Sequence, residues 1–195
     1  AVGYMSLGAD VSRIVSDFSQ GLYIKTDDRL NLAIKGSGFF TIEGVNPKTG
    51  QAQVYYTRNG AFTLNSNGEL TTLEGYRVLG QNGRIVLAGQ GDIRIDDQGN
   101  VYQNGNLIDR LLLRDFQDKS LIRKVGNNLF EADAQNQPIQ FSGQVLQGYL
   151  EGSNVNSVQE MVNMINILRA YEANQKALIT QDETLQKAVN EIARK

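Results

Sequence analysis

The chain of 195 residues is 41% hydrophobic and 21% charged, and its 19 basic and 21 acidic side chains give a formal net charge of -2. It contains no His and no Cys, which excludes disulfides, Cys-based metal sites and catalytic sites built on an imidazole or a thiolate. The near balance of charge argues against a nucleic-acid partner, and no apolar run reaches the roughly 18 residues of a membrane span.

The N-terminal part, residues 1–27, is predicted to be an extended connecting segment. Residues 11–18 carry apolar side chains at helical spacing, but Gly8 and Gly21 confine that pattern to about twelve residues, near the lower limit for a helix. The β-like run at 22–24 favours an extended chain, and a helix over 11–18 stays open. The sequence starts without an initiator Met or a secretory signal, so we expect its start to be a cut boundary.

Residues 28–152 are predicted to form a β-rich domain. All 20 Gly and both Pro lie at or before Gly152, and glycine at this density indicates many turns. Leu30, Leu32 and Ile34 alternate with other residues, which is the period of a half-buried strand. Further strands are predicted within residues 107–116, 128–132 and 144–150. The pattern is typical of an irregular antiparallel β sandwich or barrel.

Two segments of this domain share one pattern. Residues 62–70 and 93–101 both read apolar, any, apolar, Asn or Asp, any, any, Gly, any, apolar. The Asn or Asp suits the first position of a turn, and the Gly suits a left-handed position after it. Each segment is therefore predicted to be a hairpin with a bulge at Gly68 or Gly99. Two further hairpin turns are predicted at Asn82-Gly83 and Asn104-Gly105.

Residues 153–195 contain no Gly or Pro and are predicted to form one long helix. Ser157 and Glu160 have the spacing of a capping box at its N-terminus. From Ser157 to Lys195 the helix would span 39 residues, on the order of 58 Å. A compact domain of about 150 residues is only roughly 30 to 40 Å across. We therefore expect much of this helix to be supported by something other than its own β domain.

Ten residues of the helix form a seam at alternating spacings of three and four. They are Met161, Met164, Leu168, Tyr171, Gln175, Leu178, Asp182, Leu185, Val189 and Ile192. This heptad seam predicts helix packing in a coiled coil, with the polar Gln175 and Asp182 fixing the register. The same pattern also occurs on the core face of an ordinary helical bundle. Because the sequence offers no second long helix for such a bundle, it favours a partner helix from outside this chain.

Other motifs indicate no chemistry. Gly36-Ser-Gly38 lacks the third Gly and the following Lys of a phosphate-binding loop, so it is interpreted as a bend between strands. The acidic run Asp96–Asn100 lacks the spacing of a calcium loop and is interpreted as a turn. The sequence therefore predicts no catalytic residue, no metal or cofactor and no small-molecule substrate.

Several motifs resemble the bacterial flagellar rod and hook protein family. They are NLAIKGSGFF at 31–40, YTRNGAF at 56–62, GYLEGSNV at 148–155, Glu160-Met-Val and RAYEANQK at 169–176. They follow the family's order and span most of residues 28–187. The resemblance is closer to the distal rod proteins than to the hook protein, because the β part has no room for the hook's large inserted domain.

The resemblance implies a structural role in the flagellar basal body. Family members are exported by the flagellar type III apparatus and stack helically into an axial tube. Their N- and C-terminal helices pair as a coiled coil in the inner core, and the β domain forms an outer layer. The expected partners are copies of the chain, neighbouring rod and hook subunits, and an N-terminal helix that this sequence lacks.

Two other functions remain open from the sequence. One is a β-rich extracellular binding module on a coiled-coil stalk, which would bind its ligand through the β loops. The other is a carboxylate-based hydrolase of glycans, which would need two carboxylates facing each other in a cleft. The structural rod subunit is the hypothesis that the helix, the motifs and the missing catalytic residue types favour together.

Overall fold

The computed structural model describes residues 16–46, 49–88, 91–126 and 128–192, with side chains as far as Asn190. The chain divides into two compact units, Ala1–Gly152 and Ser153–Lys195. Most of the ambiguous segment 11–18 lies outside the described residues, and residues 16–22 have no regular secondary structure.

The first unit is built from 17 short strands in its described part. They are β1 (Tyr23–Lys25), β2 (Leu32–Lys35), β3 (Phe39–Val45), β4 (Ala52–Thr57), β5 (Phe62–Leu64), β6 (Leu70–Thr72), β7 (Arg77–Gly80), β8 (Gly83–Arg84), β9 (Ile93–Ile95), β10 (Asn100–Gln103), β11 (Asn106–Arg110), β12 (Leu113–Phe116), β13 (Ile122–Gly126), β14 (Leu129–Ala132), β15 (Pro138–Gln140), β16 (Gln144–Gln147) and β17 (Tyr149–Glu151). A single 3₁₀ turn, Lys119–Leu121, precedes β13.

These strands pair antiparallel throughout and form four sheets. The largest has ten strands in the path β13-β14-β4-β3-β7-β6-β5, with β12 joining β3 to β15 and β8 joining β7. The others are β11-β10-β9 and two ribbons, β16-β2 and β1-β17. None of these four sheets closes into a barrel. The predicted fold class, mainly β with a long C-terminal helix, is confirmed, and its β part consists of open antiparallel sheets.

One apolar core joins three of the sheets. Ile42 of the ten-stranded sheet, Val101 of the three-stranded sheet, and Leu32 and Val145 of the β2–β16 ribbon are all buried in it. Each of these short strands buries little apolar area by itself. A two-stranded ribbon alone is therefore only marginally stable in water. Their stability therefore depends on sharing one core.

The Phe39-Phe40 pair on β3 separates two cores. Successive side chains of a strand point to opposite faces, so Phe40 enters the main core, where its ring meets Phe62 at 5.0 Å edge to face. Phe39 enters a second, aromatic cluster with the buried Phe116 and the half-buried Phe130. Because both faces of β3 are covered, this strand lacks the alternation of apolar and polar residues that a half-buried strand shows.

The two hairpins predicted from the pattern shared by residues 62–70 and 93–101 are confirmed. In the first, the backbone N–H of Gly68 donates to the carbonyl of Asn65 at 2.9 Å, and in the second Gly99 donates to Asp96 at 3.0 Å. Both glycines have positive φ, +75° and +82°, which a residue with a Cβ adopts at a cost. The pattern therefore encodes the turn directly, since it places a polar cap and a Gly at fixed positions.

The other two hairpins also form. Asn104 (φ +51°) and Gly105 (φ +81°) link β10 to β11 as a turn with two left-handed residues. At the Asn82-Gly83 site the loop lies one residue earlier than predicted. There Gln81 and Asn82 form the loop, and Gly83 already pairs with Gly80.

Two predicted strands are broken where the chain changes sheet. The stretch 107–116 divides at Leu111 and Leu112, because β11 pairs with β10 whereas β12 pairs with β3 and β15. The stretch 144–150 divides at Gly148, whose φ of +79° redirects the chain from the β2 ribbon to the β1 ribbon. An apolar run alone carries no signal for such a change of partner.

Candidate assembly face of the C-terminal helix

The second unit is dominated by one helix, α1, from Ser157 to Ile192. Its 36 residues make it about 54 Å long at 1.5 Å per residue. The absence of Gly and Pro and the presence of good helix formers such as Ala, Glu, Gln and Leu explain why it continues without a break. Among the helices of the described chain, none is long and apolar enough to cross a bilayer.

The helix is capped one residue earlier than the predicted box of Ser157 and Glu160. The side-chain oxygen of Asn156 accepts hydrogen bonds from the backbone N–H groups of Val158 (3.1 Å) and Gln159 (3.3 Å). Asn is as good an N-cap as Ser, so the helix begins with Ser157 as its first helical residue. Glu160 lies in the first turn, where its negative charge interacts favourably with the positive end of the helix dipole.

Sequence reasoning could have found this cap. Asn156 and Gln159 have the same spacing, three residues apart, as the Ser157–Glu160 box. Two overlapping cap patterns of similar strength therefore competed, and only backbone geometry separates them. The functional consequence is small, because the seam begins beyond both caps, at Met161.

The seam residues share one face of the helix, since spacings of three and four return to the same side after each turn. The nine whose side chains the structure describes are all exposed to solvent. Met161 and Val189, near the two ends, are each 64% exposed. Ile192 lies in the last turn of the helix, beyond the described side chains. A stripe of exposed large apolar residues of this length is typical of a protein interface.

The stripe is wider in the first half of the helix. Eight of the 14 residues from 158 to 171 are exposed large hydrophobics, against four of the 19 from 172 to 190. The extra members outside the seam are Val158, Val162, Ile165, Ile167 and Ile179. A wide stripe suits contact with more than one helix, whereas a narrow seam suits one partner.

The polar members of the seam interrupt its second half. Gln175 donates from Nε2 to the hydroxyl of Tyr171 at 3.0 Å, so two seam residues are already joined along the same face. Asp182, one heptad further along, places an exposed charge on the seam. Polar residues at such positions lower the stability of a coiled coil but restrict its register.

The β unit has carboxylates at its surface but no arrangement that resembles a metal centre in the described part. Asp27, Asp28 and Asp92 line an open depression together with Arg29 and Arg94, and Asp92 is ion-paired with Arg29. No group of three or more acidic side chains among the described residues could hold a metal ion. The apolar helix face is therefore the strongest candidate for a functional surface.

Comparison with known proteins identifies the family. Residues 33–107 match the family model of the flagellar hook protein FlgE/F/G D1 domain, and residues 146–191 match that of the flagellar basal body rod FlgEFG protein C-terminal. The second match includes all of α1 except its last residue. The exposed seam therefore lies in a segment that characterises the family.

Whole-chain relatives agree. The chain is 35% identical to flagellar basal-body rod protein FlgG of Buchnera aphidicola subsp. Acyrthosiphon pisum, over 94% of this chain and 74% of that protein. Identity is 32% to FlgG of Bacillus subtilis, over 95% and 74%. It is 37% to basal-body rod protein FlgF of Rhizobium meliloti, over 87% and 69%. The chain therefore belongs to the flagellar basal-body rod protein family, as the motifs in its sequence predicted.

Proposed function

We propose that this chain is a structural subunit of the bacterial flagellar basal-body rod, which assembles helically and transmits motor torque toward the hook. The observation that carries the proposal is the exposed heptad seam of α1, in a segment matched by the C-terminal model of the rod family. Relatives named as rod proteins, aligned over most of this chain, support it. Its location would be the basal body in the cell envelope.

The seam supports assembly through helix pairing. Burying a Leu or Met side chain stabilises a complex by about 1.5–3 kcal/mol relative to leaving it in water, so a seam of several such residues strongly favours a partner helix. The partner would be α1 of another copy, a helix of a neighbouring rod or hook subunit, or the N-terminal helix that the family resemblance implies.

The proposal involves no chemical step, since the work of such a subunit is done by its surfaces. The binding-module alternative gains no support from the relatives, whose names refer to the rod. It would require a ligand on the β loops and predicts that changes there leave motility unaltered.

Substitution of a seam residue by Asp tests the proposal. Leu178→Asp and Leu185→Asp are expected to abolish assembly of the full-length protein, because a charge buried in the seam without a counter-charge is costly. Assembly is measured by electron microscopy of basal bodies and by swimming motility of the complemented strain.

Thr180→Asp is the matched control, since Thr180 lies outside the seam on the same stretch of helix. This variant should assemble, and all three variants should retain the NMR spectrum of the β unit. Normal rods in both seam variants would contradict the proposed role of the seam.

A further inference from the structure

The ribbon β1–β17 joins the N-terminal segment to the strand that precedes the helix unit. It has only three residue pairs, Tyr23–Glu151, Ile24–Leu150 and Lys25–Tyr149. Hydrogen bonds from Thr26 N to Gly148 O (2.7 Å) and from Gly152 N to Leu22 O (2.8 Å) close its two ends. Since two-stranded ribbons are marginal in water, this one needs further support.

Arg58, in the loop after β4, provides that support. Its Nη1 lies 3.1 Å from Oε1 of Glu151, the last residue of β17. Oε1 of Glu151 also accepts a hydrogen bond from the backbone N–H of Gly21 at 3.0 Å. The same Nη1 lies 3.5 Å from the carbonyl oxygen of Phe18. One guanidinium and one carboxylate therefore connect the end of β17 to the segment that leads into β1.

The other donors of Arg58 hold it in place. Its Nε donates to the carbonyl of Gly38 at 3.0 Å, and its Nη2 donates to the carbonyl of Gly36. The guanidinium carbon lies 5.8 Å from the ring centre of Phe39, within the range of a cation–π contact. Only the planar fork of Arg can reach the carboxylate and these carbonyls together.

The N-terminal segment is also anchored next to this site. The Phe18 ring packs edge to face on Phe39 at 5.3 Å and on Phe130 at 5.1 Å. Arg58 thus lies between the aromatic cluster, which holds the segment before β1, and Glu151, which ends β17. It occupies the place where two segments far apart in sequence meet.

The two side chains of the pair are largely buried, which makes the pair sensitive to change. The side chain of Arg58 is 14% exposed and that of Glu151 is 8% exposed. The second carboxylate oxygen, Oε2, is buried and accepts no hydrogen bond from the described residues. Loss of Arg58 would therefore leave a carboxylate buried without its counter-charge, which strongly disfavours the folded ribbon.

We propose that Arg58 is a positioning residue that clamps the β1–β17 ribbon to the rest of the β unit through Glu151, and so fixes the strand from which the chain continues into the helix unit. The helix unit begins at Ser153, two residues after Glu151. On the proposed function, load carried by the helix would enter the β unit beside this clamp.

Hydrogen exchange of the whole chain tests the clamp. In Arg58→Leu, the amides of Gly21, Thr26 and Gly152 are expected to exchange at least about tenfold faster, because the ribbon opens locally without unfolding the core. The core amides of Leu70 and Leu87, which bond to Ile85 O and Gly68 O, should change less than about twofold. Hydrogen exchange is measured on the chain without assembly, so its result is independent of whether the proposed function is correct.

Two further variants keep the test decisive. Arg77→Leu is the matched control, because it breaks another ion pair, with Glu69 at 3.2 Å, and should leave ribbon exchange unchanged. Arg58→Lys keeps the charge but loses the fork, and should show a smaller increase confined to the ribbon. If Arg58→Leu unfolds throughout, the Lys variant decides. Ribbon exchange unchanged in a folded Arg58 variant, or ribbon and core rising by the same factor in Arg58→Lys, would overturn the clamp.

Discussion

In each of the two hairpins at 62–70 and 93–101, one polar side chain adds hydrogen bonds to those that the backbone already makes across the turn. Oδ1 of Asn65 accepts from the N–H groups of Asn67 and Glu69, both at 2.9 Å. Oδ1 of Asp96 accepts in the same way from Gln98 (3.0 Å) and Asn100 (2.8 Å). An amide and a carboxylate thus perform the same structural task. They differ in that the carboxylate makes its hairpin sensitive to pH.

The environment of Asp96 sets the direction of that sensitivity. Burial raises the pKa of Asp96, and hydrogen bonds from Asn100, Gln98 and Tyr102 outweigh it, so the pKa lies below its ordinary value. A carboxyl with a lowered folded-state pKa contributes stability above its unfolded pKa, which is about 3.9 for Asp. That contribution is lost as the pH falls through the lower folded-state value.

We therefore expect Asp96→Asn to lower the stability of the β unit by about 1 kcal/mol at neutral pH. The amide nitrogen that replaces Oδ2 cannot accept the hydrogen bonds that Asn100 and Tyr102 donate to it. The difference from the parent chain should shrink as the pH falls below about 4. Thermal unfolding between pH 2.5 and 7 measures it. Asp97→Asn, at the exposed neighbouring position, is the control and should give a smaller difference at neutral pH. A difference for Asp96→Asn that stays constant with pH would contradict the account.

At the scale of the element, α1 combines a continuous heptad period with an uneven apolar width. The period alone predicts that its seam faces another helix. Because the exposed apolar surface is wider over residues 158–171, burying it takes a larger contact area there than over residues 172–190. Gln175 and Asp182 lie in the narrower part, so we expect association there to be weaker and more specific in register.

Replacing the seam charge should strengthen helix association. In Asp182→Leu an apolar side chain takes a seam position, and its burial would contribute about 1.5–3 kcal/mol, roughly a tenfold tightening or more. Sedimentation equilibrium of the chain measures the change. Glu183→Leu, one residue further and outside the seam, is the control, because it also removes one negative charge and adds one Leu. Equal tightening by both variants would show that hydrophobicity, and not the seam, drives association.

At the scale of the whole molecule, the chain combines a β unit with a shared core and a helix whose described side chains are all exposed. In proteins most helix stability comes from packing of an amphipathic face rather than from intrinsic propensity. The β unit contains its own core, whereas on the proposed function we expect the helix to be stabilised by a partner.

This difference predicts a dependence on concentration. In a dilute solution, amides of residues 175–190 should exchange much faster than those of the β core, and their protection should increase with protein concentration because helix association is a mass-action equilibrium. Core amides such as Leu70 should not respond. The measurement is hydrogen exchange at two concentrations about a hundredfold apart. Strong, uniform protection of residues 175–190 in a dilute monomer would contradict it.

Local chemistry explains why some features could be predicted. The turn at Asn65–Gly68 depends on residues within four positions, and so does the start of the helix, whose cap was predicted to within one residue. The strand breaks at Leu111–Leu112 and Gly148 depend instead on which sheet the next segment joins. That choice is made by segments far away in sequence, and the apolar pattern of a strand does not record it.

By itself, the sequence determined the turn-rich β part, the Gly-free helix after Gly152, the hairpin turns and the heptad face, and its motifs indicated the family. Only the tertiary structure decided which sheets share a core, which clusters Phe39 and Phe40 enter, and how Arg58 meets Glu151 93 positions away. The physical reason is range. Backbone preference and periodicity act over a few residues, whereas burial and ion pairing depend on distances that only the folded chain sets.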